Sequence, residues 1–155
     1  MVLFHHINVK SLLLFGLIDK EINMREIEFR AWLKNEKFML NNITSIRLDT
    51  KCIYYDDNQL FSYERKEFDE IELMQYTGLK DTNGVKIFEG DIVENIYFNS
   101  KYELFWDEEN CCFRMRNIDD DYDYLVLNIR EAGMIEVIGN IYEDKELLNE
   151  NFKFN

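Results

Sequence analysis

The sequence predicts a mainly β fold in which many short strands form a barrel or a curled sheet. The 155 residues include 12 Phe, 9 Tyr and 2 Trp, and aromatic side chains favour strands. The chain contains no proline, so its turns must rely on Gly, Asn and Asp. Short apolar stretches alternate with turn signals at close spacing, which is typical of small barrels. The length fits one domain.

The first predicted strand starts at Met24 and alternates between apolar and polar side chains, which is the period of a half-buried strand. Its apolar face carries Ile27, Phe29, Ala31 and Leu33, and its polar face carries Glu26, Glu28 and Arg30. A turn at 34–37 follows. Shorter strands are then expected at 38–40, 43–48 and 51–55.

The middle of the chain contains a charge run and then a series of strands. Residues 64–70 are nearly all charged, and we expect them to form a solvated connection. A strand is predicted at 71–79. Further strands are predicted at 92–98, 101–106 and 111–116, with turns at 99–100 and 107–110.

Turn residues in the central segment mark where the sheet changes direction. Asn83-Gly84 lies between apolar stretches and predicts a tight turn, because both residues tolerate positive φ. Gly78 and Gly90 suit bulges or sharp bends in a curling sheet. Asp91 is expected to hydrogen-bond the turn backbone rather than to act as a catalytic carboxylate.

The C-terminal part is predicted to mix strands with short helical segments. An acidic loop covers 118–123, and the apolar stretch 124–129 fits either a strand or a single helical turn. A strand is expected at 134–140. Residues 143–149 place acids before paired leucines, which predicts a short terminal helix. The tail at 150–155 is expected to fray.

The first 23 residues differ in character from the rest. Their apolar run at 11–18 is too short to span a bilayer, and no cleavage site of a signal peptide follows it. Lys20-Glu21 is what a purine-rich ribosome-binding site encodes when it is translated. We therefore expect translation to start at Met24, with residues 1–23 an upstream extension outside the fold. N-terminal mass spectrometry of the native protein tests this, and peptides from 2–23 would refute it.

Several classes of chemistry are excluded by composition. Both histidines, His5 and His6, lie in the extension, so the domain lacks nucleophile–histidine pairs. No phosphate-binding loop or dinucleotide fingerprint is present. Residues 119–123 alternate carboxylates as a calcium loop does, but Tyr124 replaces the required Gly and Arg130 replaces the bidentate Glu. We expect no catalytic residue, metal site or cofactor.

The three cysteines indicate a reducing compartment. Cys52, Cys111 and Cys112 are an odd number without regular spacing, and the adjacent pair is expected to point apart along a strand. We therefore expect free thiols and a cytosolic protein.

The net charge of −13 restricts the partners. It disfavours direct binding to nucleic acid or to an anionic membrane, and it attracts basic protein surfaces. The candidate partner-binding surface is the acidic stretch Asp107, Glu108, Glu109, Asp119, Asp120, Asp121 and Asp123. The alternative is that these residues only solvate the surface. Trp32 is a candidate anchor for a partner, or else it covers one end of the barrel.

Three blocks resemble the YopX-like family of phage and prophage proteins. They are 24–32 (MREIEFRAW), 76–93 (YTGLKDTNGVKIFEGDIV) and 137–143 (VIGNIYE), and their order and spacing match. The resemblance implies a domain over 24–149 with a small SH3-like, partly open β-barrel, additional N-terminal strands and a short C-terminal helix. It implies a phage or prophage origin and no biochemical activity.

Two functions remain open from the sequence. The first is a non-enzymatic phage accessory protein that binds another protein in the host cytosol, in its sharpest form an acidic decoy for a DNA-binding surface. The second is an enzyme that works with carboxylates alone or with a bound metal. Whether copies of the chain associate is left open.

Overall fold

The computed structural model describes residues 26–56, 63–120 and 122–148. The expected extension at 1–23, the expected frayed tail at 150–155 and Asp121 lie outside these ranges.

Twelve strands are found within the described ranges. They are β1 (Phe29–Leu33), β2 (Phe38–Leu40), β3 (Ile43–Arg47), β4 (Cys52–Asp56), β5 (Tyr63–Glu67), β6 (Ile71–Lys80), β7 (Lys86–Phe88), β8 (Asp91–Asn95), β9 (Lys101–Asp107), β10 (Cys112–Asn117), β11 (Tyr124–Val126) and β12 (Ile135–Asn140). One short helix, α1 (Ile129–Ala132), and 3₁₀ turns at Phe68–Glu70 and Lys145–Leu148 complete the described secondary structure. None of the described helices is long and apolar enough to cross a membrane.

The strands form three antiparallel sheets. Their orders are β2-β1-β6-β7, β3-β4-β5 and β11-β10-β9-β8-β12. The structure includes a curled half-barrel sheet, and we use the name half-barrel for the five-stranded sheet β11-β10-β9-β8-β12. The prediction of a mainly β fold with a curled sheet is therefore confirmed, whereas the SH3-like detail stays a prediction.

The described residues contain two separate hydrophobic cores. The first lies between β1, β2, β4 and β6 and contains Ala31, Leu33, Leu40, Ile53 and Ile71. The second lies on the inner face of the half-barrel and contains Ile87, Val93, Tyr102, Leu104, Met115, Leu127, Ala132 and Ile135. Strand β6 reaches both, since it starts in the first core and pairs at Tyr76 with β7.

Two segments differ from their sequence predictions for identifiable reasons, and the predicted terminal helix is present in a shorter form. Residues 64–67 of the charged run belong to β5, an edge strand whose charged side chains reach water, and residues 68–70 form a 3₁₀ turn. The strand predicted to reach Phe98 ends at Asn95, because the Asn95 side chain accepts the N–H groups of Tyr97 and Phe98. The predicted terminal helix is a 3₁₀ turn, Lys145–Leu148.

Two further predictions are refined by the backbone geometry. Cys111 lies in a turn with φ of 51° rather than in a strand, and all three cysteines are free thiols. The stretch 124–129 contributes both β11 and the start of α1. Asn128 separates the two, because its side chain accepts the N–H groups of Arg130 and Glu131 and so caps the helix.

Three glycines in the central segment have left-handed backbone conformations. Gly78, Gly84 and Gly90 have φ of 88°, 81° and 74°. The turn around Gly84 is held by Asp81, whose Oδ1 accepts the N–H groups of Asn83 and Val85, both at 2.8 Å. A Cβ at Gly84 would meet nothing within 4 Å, whereas a Cβ at Gly90 would lie 3.3 Å from Asn140 Nδ2.

This difference predicts unequal costs for two alanine substitutions. Gly84→Ala bears only the penalty of positive φ, so we expect a loss of about 1 kcal/mol. Gly90→Ala adds crowding in the interior, so we expect at least about 1 kcal/mol more. Urea unfolding of the two variants measures both. Equal costs would show that the contacts around Gly90 are not tight.

Candidate functional site

A buried ion pair joins the first strand to the half-barrel. The Arg30 guanidinium on β1 contacts the Asp91 carboxylate at the start of β8, and their side chains are 12 % and 1 % exposed. Arg30 Nη2 also donates to the Glu89 carbonyl oxygen at 3.3 Å, and its guanidinium lies 4.7 Å from the Phe88 ring centre. Asp91 Oδ2 accepts the Phe88 N–H at 2.7 Å. Asp91 thus accepts a hydrogen bond from the turn backbone and also forms an ion pair with a residue that is distant in the sequence.

Two neighbouring carboxyl groups have raised pKa values. Burial raises the pKa of Asp91, opposed by the charge of Arg30 and by the Phe88 N–H. Burial also raises the pKa of Glu89, opposed by the Gln75 N–H that Glu89 Oε2 accepts at 2.8 Å. Raised pKa values are expected of catalytic acids. Here, however, each carboxylate is bonded to main chain, and Asp91 is almost inaccessible to solvent.

Asn140 extends this buried cluster to the end of β12. It pairs with Asp91 across the β8–β12 ladder and is 3 % exposed. Asn140 Oδ1 accepts the Tyr142 N–H at 3.0 Å, and the Asn140 N–H donates to Asp144 Oδ2 at 2.9 Å. A Cβ at the preceding Gly139 would lie 2.7 Å from that Asp144 oxygen. The segment after β12 is therefore packed closely against the strand end.

This packing places Tyr142 beside Trp32. The two rings are stacked, with centroids 6.0 Å apart and planes inclined by 16°. They border a groove of about 510 Å³, which we call the lysine groove. It is lined by Trp32, Lys34, Lys37, Tyr142, Glu143 and Lys145. Trp32 is half-buried, so it both covers the junction with β12 and remains accessible from the groove.

The acidic residues singled out from the sequence do not form one surface. Asp107, Glu108 and Glu109 lie at the turn between β9 and β10, and Asp119, Asp120 and Asp123 lie in the loop between β10 and β11. Asp107 pairs with Cys112, and Tyr102 pairs with Asn117. The two groups therefore lie at opposite ends of the β9–β10 hairpin.

The Asp107 carboxylate is hydrogen-bonded within its own hairpin. It accepts hydrogen bonds from Arg114 Nη1 at 2.9 Å and Asn110 Nδ2 at 2.7 Å, and from the N–H groups of Glu109 and Asn110. Arg114 and then Asn110 lower the pKa of Asp107 to about 2. Both oxygens of the Asp107 carboxylate therefore accept hydrogen bonds within the hairpin. Glu108 and Glu109 are the exposed acids at this end.

The second acidic group lies at the same end of the half-barrel as three exposed aromatic side chains. Residues 118–120 and 122–123 and the turn 96–100 lie at the same end of the half-barrel, where the Ile118 N–H donates to the Lys101 carbonyl oxygen at 3.0 Å. Tyr97, Phe98 and Tyr122 are 67 %, 77 % and 95 % exposed. We call these three residues the aromatic tip, and the exposed acids at the same end, Asp119 and Asp120, the tip acids. Asp123 is half-buried, and its Oδ2 accepts hydrogen bonds from Asn117 Nδ2 at 2.9 Å and from the Tyr102 hydroxyl at 3.5 Å.

The sequence pattern alone conceals Tyr97 and Phe98, because an apolar stretch at 92–98 is expected to be one continuous strand. The signal that reveals them is Asn95, whose side chain ends the strand, followed by Asn99 with φ of 54°.

In the described ranges, no group of three His, Cys, Asp or Glu side chains is arranged to hold a metal ion.

The family model for the YopX protein matches residues 28–149. The chain belongs to the YopX protein family. Protein EF1440 from Enterococcus faecalis, a solved structure, is similar over 79 % of this chain and 98 % of its own, with 32 % identity and a TM-score of 0.58. Protein yopX from Bacillus subtilis is similar over 77 % of this chain and 94 % of its own, with 17 % identity and a TM-score of 0.51. No curated protein matches the chain.

The contacts of Asp107 predict its titration. Because its pKa is lowered in the folded state, its contribution to stability is present above the usual value of 3.8 and is lost as the pH falls towards 2. Arg114→Gln removes the largest cause and should move the pKa of Asp107 towards 3.8, as measured by carboxyl NMR. Arg116→Gln is the matched control, since Arg116 contacts Glu103 instead. An unchanged titration in Arg114→Gln would contradict this assignment.

Proposed function

We propose that this YopX family member is a non-enzymatic phage or prophage accessory protein that binds a basic protein surface in the host cytosol. The observation that supports this most is the aromatic tip together with the tip acids. Three large aromatic side chains are exposed at one end of the half-barrel, two on the turn 96–100 and one on the loop that also carries the tip acids. Single exposed aromatics are common, whereas a group of them indicates an interaction surface.

The side chains at the aromatic tip are suited to binding a basic protein surface. Tyr and Phe side chains supply large apolar contact areas with few rotatable bonds, and aromatic residues are enriched at interfaces. Carboxylates at the rim contribute to the rate and specificity of association with a positive surface. The net charge of −13 adds long-range attraction to the same partner. A DNA-binding surface on a host protein has the required charge, so the decoy remains the sharpest form of this proposal.

The alternative, a carboxylate-based hydrolase, has less support. Its best candidates are Glu89 and Asp91, whose pKa values are raised by burial. Both carboxylates are bonded to backbone N–H groups, and Asp91 is ion-paired as well. A carboxylate held in this way stabilises the fold and is poorly placed to transfer protons to a substrate.

A pull-down of the C-terminally tagged full chain from cells that carry the phage or prophage tests the proposal. We expect a stoichiometric partner, identified by mass spectrometry, that is retained at low salt and lost at high salt. Phe98→Ser, which removes an apolar anchor, should weaken binding of that partner more than tenfold. Recovery of the chain alone would contradict the proposal.

A matched pair of charge variants locates the surface. Asp119→Asn with Asp120→Asn and Glu108→Gln with Glu109→Gln each remove two negative charges, at opposite ends of the β9–β10 hairpin. We expect the first double variant to weaken binding about fivefold to tenfold and the second to change it less than about twofold. Equal effects would show that only the net charge matters and would exclude the tip as the binding surface.

A further inference from the structure

The two edge strands of the half-barrel differ in how their outward-facing main-chain groups are bonded. At the β12 edge these groups have partners, since the Ile135 carbonyl oxygen accepts the Thr82 N–H at 3.1 Å and the Val137 N–H donates to Asp81 Oδ2 at 3.0 Å. Strand β11 forms the other edge of the same sheet. An edge strand whose main-chain groups lack such partners is a template on which another strand can pair.

Two residues of β11 turn their main-chain groups away from the sheet. Antiparallel strands bond at every second residue, and the bonds that flank this ladder use the Asp123 carbonyl oxygen and the Leu127 N–H, each 3.0 Å from its β10 partner. The N–H and C=O groups of Tyr124 and Val126 therefore face outward. Within the described ranges, the one hydrogen bond to these groups is from Asn128 Nδ2 to the Val126 carbonyl oxygen, at 3.3 Å.

The side chains of this edge are uncharged, exposed and held in place. Tyr124 and Val126 are exposed on the outer face of the sheet, and Ile129 is exposed just after the strand. The Tyr124 ring lies against Phe105, with centroids 6.1 Å apart, and 4.9 Å from the guanidinium of Arg114. By contrast, the edge strand β5 has the sequence YERKE, and such charges are the usual protection of an edge against pairing. Strand β11 lacks that protection.

We infer that β11 pairs antiparallel with β11 of a second copy of this chain, so that two half-barrels share one continuous sheet. A two-fold axis at Leu125 places Tyr124 of one copy opposite Val126 of the other, and each outward N–H then meets an outward carbonyl oxygen. An aromatic side chain opposite a β-branched one is a favourable cross-strand pair. The bond from Asn128 does not prevent this, because a carbonyl oxygen has two lone pairs.

Charge complementarity at the ends of the strand favours a second copy as the occupant. In this register, the residues that follow β11 in one copy lie alongside those that precede it in the other. Arg130, which is exposed and forms no ion pair in the described part of the chain, then lies on the side of the exposed Asp120 of the second copy. The net charge of −13 on each copy opposes association. With so short a strand, we expect a weak dimer, with a Kd on the order of 10 to 100 μM.

The pairing leaves the turn 96–100 of the aromatic tip accessible. This turn joins β8 to β9, and β10 separates β9 from the edge strand β11. Because the two β11 strands run in opposite directions, the tips of the two copies lie at opposite ends of the shared sheet. The dimer is therefore independent of the proposed function, since each copy can bind its partner with or without the other.

Sedimentation equilibrium of the full chain, from about 5 to 500 μM, tests the inference. We expect a monomer–dimer equilibrium that Val126→Lys weakens at least tenfold, because a charge on an edge strand opposes pairing. Val85→Lys is the matched control, since Val85 is 49 % exposed outside β11 and Val126 is 51 % exposed. It should change the dimer constant less than about twofold. Absence of dimer over this range, or equal weakening by the two variants, would overturn the inference.

Two further variants identify the groups that pair. Val126→Pro removes an outward N–H and leaves the bonds of β11 to β10 in place, so it should weaken the dimer at least tenfold while the far-ultraviolet circular dichroism stays unchanged. Phe98→Ser, which should weaken binding of a basic partner at the tip, should leave the dimer constant within about twofold. Loss of self-association in Phe98→Ser would show that the copies associate through the tip and would overturn the pairing through β11.

Discussion

The buried contact between Arg30 and Asp91 is the side-chain interaction that links β1 to the half-barrel, in addition to strand β6, which reaches both cores. The described residues form two hydrophobic cores, one around β1 and β4 and one inside the half-barrel. The ion pair crosses between them, and its partners lie 61 residues apart in the chain. Removing water from both charges is costly, and Arg30 Nε finds no acceptor among the described residues. The main effect of the pair is therefore to fix the position of one hydrophobic core relative to the other.

The three sequence blocks that resemble the family converge on this contact. Arg30 belongs to the first block, Gly90-Asp91 to the second, and Gly139-Asn140 to the third. Gly90 permits the close approach of Asn140, and Asn140 in turn orients Tyr142. The three blocks thus supply the residues that connect β1 to the half-barrel. Tyr142 and the groove it borders lie beside these residues, whereas the aromatic tip lies at the far end of β8.

The sequence predicted the local features well and the long-range ones poorly. Alternation along β1 and the Asn83-Gly84 turn depend on neighbouring residues, so a local pattern contains them. The contact of Arg30 with Asp91 depends on tertiary pairing, which no local pattern contains. For the same reason the acidic stretch from Asp107 to Asp123 reads as one surface, although the β9–β10 hairpin separates its two ends. The exposed Tyr97 and Phe98 were missed because one side-chain cap, at Asn95, ends a strand that composition alone would extend.

A double-mutant cycle on Arg30 and Asp91 tests the central role of this pair most directly. Asp91→Asn and Arg30→Met each leave one buried group without its counter-charge, so each alone should cost about 3 kcal/mol of unfolding free energy. The double variant should cost about 4 kcal/mol, which gives a coupling of about 2 kcal/mol. The exposed pair of Arg47 and Asp49 is the matched control, with a coupling below about 1 kcal/mol expected for Arg47→Met and Asp49→Asn. A coupling at Arg30 and Asp91 no larger than that of the control would contradict the account, since it would show that the two cores are joined by other contacts.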